Sequence, residues 1–425
     1  MQIRPRVNWS LAAIVGEGLL SRLSFGLITF ALPLYARHLG FSLTEVGILA
    51  ALSSAVSVIL KPLLGRTADR FGLKRTFMVA IGLRSLISLG YGFASAPWAL
   101  FAIRGVYGLS MSLRDPSASA LLAEQGGGES VASAFAWYQT AKTVAGSVSQ
   151  ACAGILLTVT AANYPLVFFV AFALSVLPLL VVTRYVQEDA GAHGAPDTAA
   201  RRPAQGDDAE PADRPAHPQP PKLLPFVGLG FLIAGTAEML GSLFPVLATE
   251  YAGLSKAQAG LIYAVSTLLM VFAGPIFGWL SDNVSRNLVL MARGVLNTCS
   301  SALYVVAPVF VGVAVAKALD DMGKAAFRPA WGALMAQVSS FDRRHRARVM
   351  SWMSTGEDAG RALGPVLAGV LWSTWGIAVL MGVRILLAIL TEVYTVSVTR
   401  LPALRAPGPD PLARVEDTAV AAGSE

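Results

Sequence analysis

The chain has 425 residues, of which 54% are hydrophobic and only 14% charged, and its mean hydropathy is +0.58. Soluble domains carry about 25% charged residues, so this composition excludes a soluble globular protein and indicates a chain largely immersed in lipid. The net charge of +7 is distributed over alternate connections between apolar stretches, which sets membrane topology and excludes nucleic acid as the partner.

A spanning helix needs about 20 mainly apolar residues. Apolar stretches predict helices at 11–35, 45–64, 76–95, 98–120, 134–160 and 165–184, then at 224–248, 257–278, 288–308, 310–332, 349–372 and 376–399. The first stretch runs on past Pro33 without a small-residue cleavage site, so it is read as the first span and not as a leader. Residues 187–222 are rich in Pro, Ala, Arg and Asp and almost devoid of large apolar side chains, so they are expected to be disordered. The predicted organisation is a six-helix bundle over 1–186, a cytoplasmic linker over 187–222, a second six-helix bundle over 223–400 and a disordered cytoplasmic tail over 401–425. Arg4, Arg6, Arg66, Arg70, Lys74, Arg75, Arg286, Arg343, Arg344, Arg346, Arg348, Arg400 and Arg405 flank one set of connections. The opposite set carries little beyond Arg37 and Lys256, which places both termini in the cytoplasm. Cys152 and Cys299 fall in spans of different halves and read as small buried packing residues. His38, His193, His217 and His345 lie in connections, so neither a metal site nor a histidine relay is expected.

One motif occurs twice. Gly65-Arg-Thr-Ala-Asp69-Arg70-Phe-Gly72-Leu-Lys74-Arg75 closes the second stretch, and Gly278-Trp-Leu-Ser-Asp282-Asn-Val-Ser-Arg286 closes the eighth. Gly65 and Gly278, Asp69 and Asp282, and the upstream Pro62 and Pro275 are all 213 residues apart. So are Gly40-Phe-Ser-Leu-Thr-Glu-Val-Gly47 and Gly253-Leu-Ser-Lys-Ala-Gln-Ala-Gly260. The chain is therefore two copies of one membrane unit, and parallel repeats of this kind place a substrate site between the halves.

These residues resemble the major facilitator superfamily, whose pattern in the second connection is Gly-x-Leu-x-Asp-Arg-x-Gly-Arg-Lys. The resemblance implies an all-α polytopic membrane protein with twelve transmembrane helices in two pseudo-symmetric six-helix bundles. It further implies a gate formed by Gly65, Asp69, Arg70, Gly72 and Lys74 in one copy, and by Gly278, Asp282 and Arg286 in the other. In the fourth span, Arg104-Gly105-Val-Tyr107-Gly108 is similar to the Arg-x-x-Gln-Gly stretch of proton-coupled drug exporters of this superfamily, with Tyr107 where Gln is usual. Lys317 stands 213 residues after Arg104, so both halves keep a cation there. Gly360-Arg361-Ala-Leu-Gly364-Pro365 in the eleventh span places small residues four apart, which suits close helix packing.

Charge inside a bilayer is costly and faces a cavity or a partner. Glu17, Arg22, Lys61, Arg84, Lys142, Glu238, Lys317, Asp320, Asp321, Lys324, Glu357, Asp358 and Arg361 fall within predicted spans. Lys317 and Asp321, Asp320 and Lys324, and Glu357 and Arg361 are each four apart and can pair along one helix. Buried carboxylates can also carry protons. Candidates for substrate or proton coupling are therefore Glu17, Arg22, Arg104, Glu238, Lys317, Asp320, Asp321, Glu357 and Asp358. No nucleotide-cradling loop, metal motif or catalytic nucleophile is present in the sequence, so no cofactor and no enzymatic activity are expected. The expected function is proton-coupled export of small organic compounds by alternating access, by a monomer in a bacterial inner membrane. The alternatives are a proton-coupled nutrient importer and a non-transporting receptor or scaffold with the same fold.

Overall fold

Lipid offers no partner to a free backbone N–H or C=O, so a chain that crosses it must satisfy these groups within helices. The computed structural model describes residues 9–126, 131–186, 223–284, 286–340 and 346–399, and among these no strand occurs. The linker over 187–222 and the tail over 401–425 lie outside the described residues.

The first half comprises α1 (Trp9–His38), α2 (Leu43–Phe71), α3 (Leu73–Phe93), α4 (Pro97–Gly126), α5 (Val131–Val159) and α6 (Tyr164–Tyr185). The second opens with α7 (Leu224–Glu238), a turn, α8 (Phe244–Val246) and a π-helical turn over Leu247–Tyr251, which together make its first span. There follow α9 (Lys256–Asn283), α10 (Arg286–Val306), α11 (Phe310–Ser340) and α12 (Arg346–Thr399). The last is two spans joined at Gly376, whose φ is +84°. Twelve spans result, as expected. Two details differ from the sequence reading: the seventh span is broken after Glu238, and the eleventh and twelfth have no loop between them.

The repeat is visible residue by residue. α3 and α10 are offset by 213 at both ends. Gly40 and Gly253, also 213 apart, both adopt left-handed backbone, at φ of +91° and +66°. Each is followed by the same helix start. Ser42 accepts from the backbone N–H of Glu45, whose carboxylate accepts from the N–H of Ser42. Ser255 and Gln258 make the same reciprocal pair. These capping boxes each satisfy two otherwise orphaned groups, so the local sequence dictates the turn in both copies. Gly72, inside the first copy of the longer motif, has φ of +92° and starts α3.

Six segments are long and apolar enough to cross a membrane on composition alone, and they include α1, α3 and α6. α4 and α11 do not meet that measure, because they carry the charges described below.

The halves meet at the end that carries the α1–α2, α5–α6, span 7–α9 and α12 turns. There Gly47 of α2 lies against the backbone of Pro365 and Gly369 in α12, and Gly260 of α9 lies against Gln150, Ala151 and Gly154 of α5. Gly47 and Gly260 are the last residues of the repeated segment, so one repeated glycine makes both contacts. A Cβ at Gly47 or Gly154 would collide with a facing carbonyl. Arg37 and Glu250, again 213 apart, form a two-pronged ion pair across the halves, with Nη2 2.8 Å from Oε2 and Nε 2.9 Å from Oε1. Thr44 and Ser373 share a hydrogen bond of 2.7 Å. At this end one apolar core includes Phe30, Tyr35 and Leu49 of the first half and Leu243, Phe244 and Met381 of the second. Toward the chain termini it divides into two separate cores. One is built by Ile14, Phe77, Leu121 and Val182, the other by Phe226, Val289, Trp331 and Met353.

The glycine contacts generate a prediction. Gly47→Val or Gly260→Val overpacks only the closed end, at a cost of about 1–3 kcal/mol. Spin labels at His38 and Thr374 should report a longer distance in either variant than in the parent, with both proteins monodisperse. An unchanged distance distribution would show that this approach does not hold the end closed.

Candidate functional site

Between the halves, on the terminus side of these contacts, lies a cavity of about 320 Å³. Arg22 of α1 and Gln139, Lys142, Thr143, Gly146, Ser147 and Gln150 of α5 line it from the first half. Tyr263, Thr267 and Met270 of α9 and Lys317, Asp321 and Lys324 of α11 line it from the second. A hydrogen bond between Ser147 and Thr267 joins the two walls. Gly146 leaves room for the Arg22 side chain, which would touch a Cβ there. Of the predicted coupling residues, Arg22, Lys317 and Asp321 therefore line one cavity.

The first half holds most of its charge away from that cavity. Glu17 is fully buried and accepts from Arg114, with Nη2 2.8 Å from each carboxylate oxygen; Arg114 also donates to the Tyr138 hydroxyl. Arg84 is buried without a carboxylate partner among the described residues. Its guanidinium stands 4.3 Å from the centre of the Phe25 ring, which stacks on Tyr107, and donates to the Tyr107 hydroxyl at 3.4 Å. Arg104 donates to the carbonyls of Leu49 and Ala50 and lies over Tyr107. It lines a separate small recess with Thr29 and Ser242.

In the second half, α11 presents a chain of ion pairs. Asp320 accepts from Arg384 of α12 and from Lys324 at 2.9 Å. Asp321 accepts from Lys317 at 2.5 Å and lies 3.3 Å from Lys324. Arg384 is fully buried, and it also donates to the Ser301 hydroxyl and the Thr236 carbonyl. The pairs expected from spacing along α11 are thus formed. So is the pair of Glu357 and Arg361, which Asp358 joins at 3.0 Å. Glu238 ends α7 at the break in the seventh span. Half-buried and without an ion-pair partner among the described residues, it packs beside Gly241, within electrostatic range of Lys324 and Arg361.

The repeated motif is placed only in part. Gly65, Asp69 and Arg70 fall in the last turns of α2, Gly278 and Asp282 in the last turns of α9, and Arg286 opens α10. Their side chains lie outside the described residues, whereas Gly72 and Lys74 are described at the start of α3. Cys152 and Cys299 are corrected: both are exposed on the outer surface of their helices and free, not buried packing residues.

Arg114, Arg293, Arg384 and Glu392 were not singled out by sequence reading, although each is an ionisable residue within a predicted span. That alone was a sufficient signal. Arg293 is buried, donates to the Ile233 carbonyl and stands over Phe327.

The profile of the Major Facilitator Superfamily matches residues 18–224 and 226–420. A puromycin resistance protein of Streptomyces alboniger, pur8, is 37% identical over 119 residues, which are 28% of this chain and 24% of that protein. Multidrug resistance protein 1 of Bacillus subtilis is 27% identical over 178 residues, 41% of this chain and 45% of that one. The chain thus matches between a quarter and just under half the length of these two curated relatives. Among solved structures, a bacterial homologue of the human lysosomal transporter Spinster, in an inward-facing and occupied conformation, has a TM-score of 0.70 at 15% identity. The match covers 96% of this chain and all of that one. The nucleoside transporter NupG also has a TM-score of 0.70, at 14% identity, with 91% of this chain and 97% of that one covered. At these identities the structural likeness is one of fold.

The two kinds of ion pair should behave differently on neutralisation. Glu17→Gln leaves the buried Arg114 with only its longer contact to Asp115, so it should destabilise by about 3–5 kcal/mol. Glu250→Gln, in a part-exposed pair, should cost about 0–1 kcal/mol. Thermal unfolding in detergent measures both. Equal losses would contradict the burial difference between the pairs.

Proposed function

The chain belongs to the major facilitator superfamily and is a membrane transporter rather than an enzyme, and from that premise we propose that it exports small organic compounds by proton-coupled alternating access. The observation that carries this reading is the division of the apolar core. It is continuous across the halves at one end and separate at the other, with an ionisable cavity between. With cytoplasmic termini, as the arginine asymmetry suggests, this is an inward-facing arrangement. Each chain contributes both walls of the cavity, so a monomer in a bacterial inner membrane is the proposed working unit. Export is supported by the two relatives, which are named for puromycin and multidrug resistance. The polar cavity favours a second reading, a proton-coupled importer, and transport direction separates the two.

Rocking must break the contacts at the closed end and form others near the termini. Asp69 and Arg70, with Gly65, Gly72 and Lys74, and Asp282 and Arg286 beside Gly278, are proposed to latch that second end. Asp321 is the carboxylate that lines the cavity, and Glu238, at the break in the seventh span, has no ion-pair partner among the described residues, so these two are the proposed proton carriers. Glu17 and Asp320 are held by arginines and act as structural counter-charges in this scheme. Arg104, Glu357 and Asp358 are assigned to holding the walls around the cavity.

Proteoliposomes with an imposed pH gradient, screened over a compound panel, test the reading. Gradient-driven accumulation of at least one compound is expected, and no flux for any compound would leave a receptor or scaffold. Asp321→Asn or Glu238→Gln should abolish uphill transport while substrate exchange continues. If both variants accumulate substrate normally, the proton is carried elsewhere. Asp69→Asn should cut flux about tenfold, roughly 1.4 kcal/mol on the limiting step, at near-parental expression. In intact cells an external thiol reagent should reach a cysteine at position 256 but not one at 204, and labelling of 204 would invert the topology.

A further inference from the structure

The cavity is charged unevenly. The side chains that line it include four cations, Arg22, Lys142, Lys317 and Lys324, and one carboxylate, Asp321. Two of the cations are accounted for. Lys317 is 2.5 Å from Asp321, and Lys324 is 2.9 Å from Asp320 and 3.3 Å from Asp321. Arg22 and Lys142 have no carboxylate within ion-pair distance among the described residues. The carboxylates near them in the first half are already engaged: Glu17 accepts from Arg114 at 2.8 Å, and Asp115 lies 3.7 Å from the same arginine. Lys142 instead stands over the Tyr138 ring at 4.8 Å, and Arg22 packs over Gly146, one helical turn from Lys142. Two unneutralised cations thus face the same space from adjacent positions. In a bilayer such charges repel each other and await a counter-ion.

We propose that the cavity binds a small organic anion, whose carboxylate or equivalent group is held by Arg22 and Lys142 of the first half. The proposal rests on the transport reading above and names the substrate class of that site. The rest of the lining, from both halves, completes the recognition. Tyr263 and Met270 give an apolar surface for the body of the molecule, and Gln139, Ser147 and Thr267 supply hydrogen-bonding groups beside it. The ion pairs of α11 hold the second half near neutrality. The anion therefore binds to the first half and meets the second through its uncharged part. A cation placed in the cavity would face Arg22 and Lys142 directly and be rejected.

The test uses the full chain in nanodiscs and three probes of one shape: naphthoate, naphthamide and naphthylmethylammonium. Binding is read by calorimetry, without any transport step. Naphthoate should bind about tenfold more tightly than naphthamide, and the ammonium compound more weakly than both. Arg22→Gln and Lys142→Gln should each weaken naphthoate about tenfold while leaving naphthamide within about twofold, and Lys142→Arg should retain most of the affinity. Inorganic phosphate and short-chain phosphatidylglycerol, added at the same concentration, should not displace naphthoate. Displacement by either would make the site one for an inorganic ion or a lipid headgroup and would overturn the proposal. Equal binding of all three probes, or no naphthoate binding by folded parent protein, would also overturn it. The flux screen described above can succeed in that case, because other compounds remain candidates. Conversely, selective naphthoate binding without flux for any compound would sink the transport reading and leave the anion site standing.

Discussion

Charge in a medium without water is the constraint on which the rest of this structure depends. Each ionised side chain in the membrane core must find a counter-charge, an aromatic face, a backbone carbonyl or a cavity. The protein uses all four. Glu17 takes Arg114, and Asp320 takes Arg384 and Lys324. Arg84 takes the faces of Phe25 and Tyr107, and Arg104 takes two carbonyls of α2. Arg22 and Lys142 take the cavity. These choices fix how the helices sit, because each pairing ties one helix to another. Arg114 binds α4 to α1, and Arg384 binds α12 to α11 and to the carbonyl of Thr236 in α7.

The halves are joined by a different device. Helices in lipid gain little from apolar burial against each other, so they associate through close backbone approach and hydrogen bonds. Gly47 and Gly260 provide that approach at two places related by the repeat. Gly356, Gly360 and Gly364 do the same within the second half, where a Cβ would collide with carbonyls of Val227, Phe231 and Gly235. Contacts between the halves that rest on glycine, two hydroxyl pairs and one part-exposed ion pair involve little buried charge. They can be broken in a transport cycle without stranding an ion, whereas the buried pairs stay inside their own halves.

The two copies have kept their scaffold and changed their chemistry. The left-handed glycines and capping boxes recur at the same offset. The charges do not follow. Arg104 binds backbone, whereas its counterpart Lys317 pairs with Asp321 in the cavity wall. Arg37 and Glu250 occupy equivalent positions with opposite sign, which lets the repeat pair with itself across the two halves. A fold repeated in sequence can thus carry an asymmetric site.

The sequence by itself determined the twelve spans, the 213-residue repeat, the turns at Gly40 and Gly253, and the ion pairs of α11. All of these rest on local rules: apolar length, glycine backbone freedom, capping and four-residue spacing. It also pointed to membrane charges as the seat of function. Only the tertiary structure decided which of them share a cavity. Glu17 and Arg22 are five residues apart on α1, yet one is sealed against Arg114 and the other faces the opening beside α5. The break after Glu238, the outward-facing cysteines and the partners of Arg114 and Arg384 were likewise settled by neighbours distant in the chain. A side chain's cost in lipid depends on what other helices bring to it, and no local pattern records that.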